Sequence, residues 1–388
     1  MSVIYLDSAA TTKPCPEAVA AATAAMEGTW GNPSSVYSVG NDAAHLLESS
    51  RAAVAKAFGL GAKDGRIVFT GCGSESNNTA ILGTVYAKRR PTGAKILTTD
   101  SEHPSVENAM RRLEEDGFSV VRIPTKGGAL DLDAVRREAN GNVILASFML
   151  ANNETGALYD VKSAAAIVRE ASPKAIIHTD AVQAFMKCDI SPKKLGVDLI
   201  SASAHKVYAP KGVGLLWVRE SVITTKSLVP YIVGGGQERG YRSGTENLPG
   251  IAAFAAAVEA GLAEKDERRE KVAGLYDMLT KKVGERLPDV RLNVPEAHLP
   301  YVVSMTLPGI KSETFLNFLS ARGICVSAGS ACSAHSGKPS SVLQAYGLTE
   351  READTTLRVS LSHTNTAEEM EMFVSECESG IASLARMR

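Results

Sequence analysis

The sequence predicts an α/β protein with a mostly parallel sheet covered by helices on both faces, followed by a smaller C-terminal α+β domain. Short apolar strand segments alternate with helical segments over roughly the first half of the chain, a pattern typical of such sheets. The chain has 388 residues, which leaves room for a second domain. We place the large domain at residues 15–255 and the small domain at residues 1–14 and 256–388.

The predicted elements follow from apolar spacing and from the glycines and prolines between the segments. Apolar β-rich runs predict strands at residues 67–69, 96–98, 120–123, 143–148, 175–178 and 197–201. Helical segments are expected at residues 41–58, 105–115, 132–138 and 164–169, with a further helix starting near residue 75. A long helical region at residues 249–287 leads into the small domain, which has predicted strands at 302–307 and 357–361 and helices at 313–321 and from 367.

Composition narrows the range of partners and compartments. The formal net charge is −1, so nothing in the composition favours a nucleic acid or an anionic membrane as a partner. We see no basic segment followed by a long apolar run, as in a signal peptide, and no apolar stretch long enough to span a bilayer. Six scattered cysteines without a Cys-x-x-Cys pair indicate reduced thiols, and we expect a cytoplasmic protein.

Several polar residues follow predicted strands, and in parallel sheets functional residues gather at the carboxyl ends of the strands. Lys206 follows one such strand, comes after Ser203 and His205, and precedes a turn rich in proline and glycine. Its amine is suited to form a Schiff base with an aldehyde cofactor once burial or a nearby cation lowers its pKa. On its own, such a lysine is more often a surface charge.

Three other strand ends carry candidate site residues. Gly73 and Ser74 lie between a strand and a helix, where backbone N–H groups and a hydroxyl form an anion site, or where serine simply caps the helix. Asp180 ends a strand, where its carboxylate would be partly buried and would need a cationic partner such as a protonated pyridine nitrogen. The alternative is a structural role for Asp180, in a salt bridge or as a helix cap. His103 has two interpretations: a functional residue that stacks on a flat ring or shuttles a proton, and a loop histidine before a proline that starts a helix.

The later loops add donors and a thiol. Residues 234–245 do not match G-x-G-x-x-G, which disfavours a dinucleotide, but their arginine and threonine donors suit a phosphate, including one bound across a subunit boundary. Residues 327–341 predict a mobile loop with Cys332 as a candidate nucleophile. One cysteine and His335 do not make a zinc site, so no metal is expected. Arg358 is either a clamp for a substrate carboxylate or a surface arginine.

These features together resemble one family. The segments that carry the resemblance are residues 5–12, 31–34, 75–78, 152–156, 180–183, 203–206, 239–245 and 329–332. They are similar, in order along the chain, to the cysteine desulfurases, which belong to the class V aminotransferases and have the type I pyridoxal-phosphate transferase fold. The length of the loop around Cys332 resembles the branch of the family that serves scaffold proteins.

The resemblance implies a role for each matched position. Lys206 would bind pyridoxal 5'-phosphate covalently, and Cys332 would attack the substrate sulfur. The implied catalytic residues are Lys206, Cys332 and His103. The implied cofactor-binding residues are Gly73, Ser74, His103, Asn153, Asp180, Gln183, Ser203, His205, Lys206 and, from the other subunit, Thr245. Asn153 and Arg358 would hold the substrate amino acid.

The implied reaction converts L-cysteine to L-alanine and leaves the sulfur on the enzyme as a persulfide. It would supply iron–sulfur cluster assembly or tRNA thiolation, with a sulfur acceptor or an iron–sulfur scaffold protein as partner and a homodimer as the working unit. Alternatives are a related class V lyase or aminotransferase, such as a selenocysteine lyase, and a catalytically silent assembly platform. The segments at residues 71–74 and 362–365 and the residue Tyr37 depart from the usual family pattern.

Overall fold

The structure is a computed structural model that describes residues 3–61, 63–88, 93–329 and 340–384. Its strands are β1 (Ile4–Tyr5), β2 (Gly65–Thr70), β3 (Lys95–Thr99), β4 (Ser119–Ile123), β5 (Val143–Ser147), β6 (Ile176–Asp180), β7 (Leu199–Ser203), β8 (Gly214–Arg219), β9 (Arg291–Leu292), β10 (Val302–Thr306), β11 (Ile324–Cys325) and β12 (Thr356–Ser360).

The α-helices are distributed along the whole described chain. They are α1 (Pro16–Gly28), α2 (Ser38–Lys56), α3 (Gly73–Ala87), α4 (Pro104–Glu115), α5 (Leu132–Glu138), α6 (Val161–Ala171), α7 (Pro192–Leu195), α8 (Glu220–Thr224), α9 (Leu248–Ala263), α10 (Lys265–Arg286), α11 (Ser312–Ser320), α12 (Ser341–Tyr346), α13 (Glu350–Asp354) and α14 (Ala367–Ser383). Short 3₁₀ turns occur at Lys126–Gly128, Ala204–Lys206 and Glu238–Gly240.

The large sheet has seven strands in the order β2-β8-β7-β6-β5-β3-β4. Strands β4, β3, β5, β6 and β7 are parallel to one another, whereas β8 pairs antiparallel with both β7 and β2. The prediction of a mostly parallel sheet is therefore confirmed. Because β2 runs in the same direction as β7, the carboxyl ends of all the strands except β8 meet at one edge of this sheet.

Both faces of the sheet are buried, as its apolar strand sequences predict. Successive residues of β2 point to opposite faces: Ile67 and Phe69 belong to the larger apolar cluster, and Val68 belongs to a second cluster. Side chains that alternate in this way across a strand fill the space below helices on either side. The core therefore fixes the strands rigidly and leaves their carboxyl ends to carry polar residues.

The C-terminal part contains a three-stranded antiparallel sheet in the order β12-β10-β9, with α10 packed against α14. The N-terminal strand β1 pairs in parallel with β11. The predicted domain boundary between residues 255 and 256 falls within α9 and stays a prediction. The helical region expected at residues 249–287 is two helices, because the backbone leaves the helical conformation at Glu264 (φ −113°, ψ 16°).

No helix in the described part of the chain combines the length and the apolar character needed to cross a membrane.

Candidate active site

A cavity of about 290 Å³ lies where the parallel strands of the large sheet end. It contains most of the site residues that the sequence predicts: Gly73, Ser74, His103, Asn153, Asp180, Gln183, Ser203, His205, Lys206 and Arg358. These residues are distributed over more than 280 positions of the chain, and the sheet brings them together because they end or follow β2, β3, β5, β6 and β7 or lie on β12. Thr245 does not line this cavity, and Cys332 and His335 lie outside the described residues.

Lys206 ends the 3₁₀ turn that follows β7. Its Nζ donates to the backbone carbonyl oxygens of Ala9 and Ala10, each at 2.6 Å. The carbonyl oxygens of the N-terminal segment therefore hold the amine at the cavity. A lysine held in this way is not simply a solvated surface charge.

Asp180 is the last residue of β6 and is buried. One carboxylate oxygen accepts from Asn77 Nδ2 at 2.7 Å, and the other accepts from the backbone N–H of Val182 at 2.9 Å. Neutral donors fix this carboxylate in place while leaving its negative charge uncompensated by an ion pair within the described residues. The site therefore offers a buried anion to a cationic group bound in the cavity.

His103 caps the N-terminus of α4. Its Nδ1 accepts from the backbone N–H of Ser105 at 3.1 Å and lies 2.8 Å from the Ser105 hydroxyl. Burial lowers the pKa of His103, the charge of Lys206 acts in the same direction, and Asp180 opposes them. We therefore expect a neutral imidazole with its proton on Nε2.

One asparagine links the two acid–base groups of the site. Asn77 lies on α3, and its Nδ2 donates both to Asp180 and to Ser105 Oγ, the latter at 2.9 Å. The Ser105 hydroxyl in turn contacts His103. Asn77 and Ser105 were not predicted as site residues, although Asn77 belongs to a segment that carries the family resemblance.

The turn between β2 and α3 has the features of an anion site. Gly73 starts α3, and a Cβ placed on it would lie 2.9 Å from Val182 Cγ2, so only glycine fits without a shift. The buried Ser203 Oγ has no hydrogen-bond partner among the described residues. Burial and nearby lysines, Lys206 first among them, lower the pKa of His205 to about 4, so its ring is neutral at pH 7. Helix N–H groups and hydroxyls thus converge without a carboxylate lining the cavity at this turn.

Arg358 lies on β12, lines the same cavity and is buried rather than on the surface. Its Nη2 donates to Asp7 Oδ1 at 2.7 Å, and its Nη1 donates to the backbone carbonyl of Asn153 at 3.0 Å. Its Nε and the Asn153 side-chain oxygen have no partner among the described residues. The guanidinium is therefore fixed in orientation and keeps a donor for a bound carboxylate.

The chain is similar to known proteins over nearly its whole length. The aminotransferase class-V family matches residues 4–373. A cysteine desulfurase of Trichormus azollae is 38% identical over 376 residues, which are 96% of this chain and 92% of that protein. Among solved structures, a NifS-like protein superposes with a TM-score of 0.90 at 33% identity, covering 98% of this chain and all of the other. A structure titled SspA in complex with cysteine has a TM-score of 0.81 at 32% identity, covering 94% and 100% of the two chains.

The family match and the fold define a class V aminotransferase, and the type I fold predicted from the sequence is confirmed. The chain belongs to the class-V aminotransferase family and, within it, to the cysteine desulfurases.

Proposed function

We propose that the chain converts L-cysteine to L-alanine with pyridoxal 5'-phosphate as cofactor and leaves the sulfur on Cys332 as a persulfide. The observation that carries the proposal is the single cavity in which Lys206 meets Asp180, His103 and Arg358. An amine, a buried anion, a flat neutral ring and a fixed guanidinium are the groups that an amino acid and an aldehyde cofactor require together.

The cavity fits this cofactor. Asp180 offers a carboxylate for a protonated ring nitrogen, and Gln183 offers an amide donor for the phenolic oxygen. Gly73, Ser74, Ser203 and His205 would hold the phosphate, together with the partner subunit's Thr245. The fit is supported by the unpartnered buried Ser203 hydroxyl and by the close approach at Gly73, where a side chain would fill the space.

When bound, the cofactor supplies an electron-withdrawing ring that stabilises negative charge at the substrate Cα. The protein residues do the rest. Arg358 binds the substrate carboxylate with Asn153 beside it, and the amine of Lys206 takes up the Cα proton. His103 covers one face of the cavity as a neutral ring and does not compete with Asp180 for the cationic ring nitrogen.

The sulfur transfer is assigned to Cys332. Its thiolate attacks the substrate sulfur, so an S–S bond forms and the Cβ–S bond breaks. The electron pair of that bond returns to the carbon, which takes a proton and leaves as alanine. The proposal that L-cysteine is the substrate is supported by the similar structure of SspA, which is in complex with cysteine.

A persulfide must be passed on, so we propose a protein acceptor, such as an iron–sulfur scaffold, or a tRNA-thiolating acceptor. The working unit in this proposal is a homodimer. Thr245 is exposed and absent from the cavity of its own chain, which suits a residue that serves the partner subunit's site.

The test is incubation of the purified protein with L-cysteine, pyridoxal 5'-phosphate and a reductant, with sulfide and alanine assayed together. We expect equal amounts of both products. Cys332→Ala should lose sulfide release while keeping the yellow absorbance band at about 390–430 nm that the bound cofactor gives. Cys15→Ala is the control, because Cys15 does not line the cavity and should leave the activity unchanged.

Two outcomes would contradict the proposal. Release of alanine by Cys332→Ala at the parent rate would point to a related lyase that does not use this thiol. Purified parent protein that shows no yellow band after incubation with the cofactor would point to a fold without this chemistry.

A further inference from the structure

Lys187 lies four residues after Gln183, in the turns that follow β6, and contacts a residue of the active site without lining its cavity. Its Nζ donates to Gln183 Oε1 at 2.9 Å. It forms no ion pair with a carboxylate of the described residues; its other contact is with the ring of Tyr301, whose centroid lies 5.9 Å from Nζ. A neutral amide compensates the charge of a buried ammonium group poorly, so this hydrogen bond contributes little to the stability of the fold. We infer that its main effect is to orient the Gln183 amide.

The Gln183 amide is held at both ends. In its protonated form the Lys187 amine is only a donor, so the atom that it contacts is the amide oxygen. At the other end, Gln183 Nε2 donates to the carbonyl oxygen of Ala9 at 2.9 Å, and a carbonyl only accepts. These two partners leave one orientation of the amide, with its NH₂ group at the cavity. The second hydrogen of that group is available to an acceptor bound there.

The same chain of contacts reaches the catalytic amine. Ala9 O accepts both from Gln183 Nε2 and from Lys206 Nζ. Lys187 and Lys206 also share a second, small cavity of about 30 Å³ behind the active site. The titratable and charged side chains that line it are Lys187, Lys206, Tyr208, Lys265, Arg268, Tyr301 and His363, and no carboxylate of the described residues lines it.

We propose that Lys187 is a positioning residue of the active site, which directs the Gln183 NH₂ group into the cavity and places a second cation beside Lys206. The proposal rests on the proposed function, because it takes Gln183 as the donor to the cofactor's phenolic oxygen. It assigns to this lysine a role that neither its position outside the cavity nor its sequence context indicates.

The electrostatics agree with this geometry. Burial lowers the pKa of Lys187 to about 7, and the positive charges of Lys206 and Arg358 add to the effect. Such repulsion is mutual, because the charge of either lysine disfavours protonation of the other. A cation at Lys187 therefore favours the neutral, nucleophilic form of the Lys206 amine.

The test compares Lys187→Met with Lys187→Arg. Methionine keeps an unbranched apolar stem but has neither donor nor charge, whereas arginine keeps both. The first readout uses the protein without cofactor: the pH midpoint for labelling of Lys206 by an amine-specific reagent, located by peptide mapping. We expect Lys187→Met to move this midpoint to higher pH by about half a unit or more, because a like charge has been removed. Lys187→Arg should stay close to the parent protein.

The second readout is the absorbance of the protein loaded with pyridoxal 5'-phosphate. Loss of the ordered Gln183 donor should shift the pH midpoint of the absorbance change upward in Lys187→Met and much less in Lys187→Arg. Lys281→Met is the matched control, since the Lys281 side chain is 75% exposed on α10 and should change neither midpoint.

Thermal denaturation separates positioning from folding. Should Lys187→Met fail to fold, Lys187→Gln removes the charge with a smaller loss of polarity, and the same upward shift in labelling is expected. Unchanged labelling and absorbance midpoints in a folded variant without the charge would overturn the proposal. Failure of the proposed function is distinguishable, because the parent protein itself would then give no cofactor band.

Discussion

Glu102 is a buried carboxyl group directly before His103 in the chain. Its Oε1 accepts from Thr99 Oγ1 and from the backbone N–H of Met149, both at 2.8 Å, whereas its Oε2 has no partner among the described residues. Burial raises the pKa of Glu102 to about 8, with the nearby charge of Asp180 acting in the same direction. The side chain is therefore a neutral acid in the folded protein at neutral pH.

This leads to a pH-dependent stability. The unfolded chain loses the Glu102 proton near its ordinary pKa of 4.5, whereas the folded chain keeps it up to about 8. Between these values the folded state binds more protons, so the contribution of Glu102 to stability falls as the pH rises. Glu102→Gln keeps the acceptor oxygen and cannot titrate. We expect its melting temperature to rise relative to the parent protein from about pH 5 to about pH 8.

The measurement is a series of thermal denaturation curves across this pH range. Glu296→Gln is the control, since Glu296 is exposed, and its difference from the parent should not change with pH. A constant difference between Glu102→Gln and the parent protein would show that Glu102 is ionised in the folded state.

The residues of the site were predictable to different degrees. Lys206 and Asp180 could be found because each follows an apolar strand, and strand ends meet at one edge of a parallel sheet. The role of Asn77 could not be found, because its contact with Asp180 joins positions 103 residues apart through the packing of α3 on the sheet. Lys187 was missed for a similar reason, since its role depends on which atom of Gln183 it contacts.

Helix α3 positions the anion site, and its own position depends on a glycine. The backbone N–H of Val229 donates to Gly83 O at 3.1 Å, and a Cβ on Gly83 would overlap the carbonyl oxygen of Val229. The neighbouring atom is backbone and has little freedom to move. We expect Gly83→Ala to lower the free energy of unfolding by about 1–3 kcal/mol, as overpacking does.

Denaturant unfolding measures this change, and Gly274→Ala on α10 is the matched control. A Cβ on Gly274 would meet no heavy atom of the described residues within 4 Å. Alanine there should stabilise the protein by about 0.5–1 kcal/mol, because glycine is unfavourable within a helix. Equal effects of the two substitutions would rule out close packing at Gly83. Displacement of α3 should also weaken cofactor binding in Gly83→Ala, since Gly73 and Asn77 lie on this helix.

Most large elements could be predicted from apolar spacing, but two features could not. Strand β8 was not predicted, and it runs in the opposite direction to the other six strands of the large sheet in the described residues. It follows β7 after a short turn instead of a helix, so the strand–helix alternation gave no sign of it. The break between α9 and α10 falls at Glu264, where neither glycine nor proline signals the end of a helix.

At the scale of the whole molecule, the site needs both ends of the chain. Ala9 and Ala10 hold Lys206 across nearly 200 positions, and Asp7 holds Arg358 across 351 positions. The N-terminal strand β1 is itself paired with β11. We therefore expect the cavity to form only when the C-terminal elements have packed against the large sheet, so folding and cofactor binding should be coupled.

The proposed homodimer gives the last prediction, which concerns Thr245. If Thr245 serves the partner subunit's site, a chain with Lys206→Ala and a chain with Thr245→Asp should each form inactive homodimers, because aspartate would repel the cofactor phosphate. Co-expression with two different tags and purification through both isolates the heterodimer. One of its two sites then combines an intact Lys206 with an intact Thr245, so it should recover about half of the parent activity. A heterodimer as inactive as either homodimer would place Thr245 in its own subunit's site, and an active Thr245→Asp homodimer would place it outside both sites. Sedimentation of an active, cofactor-loaded monomer would contradict the dimer itself.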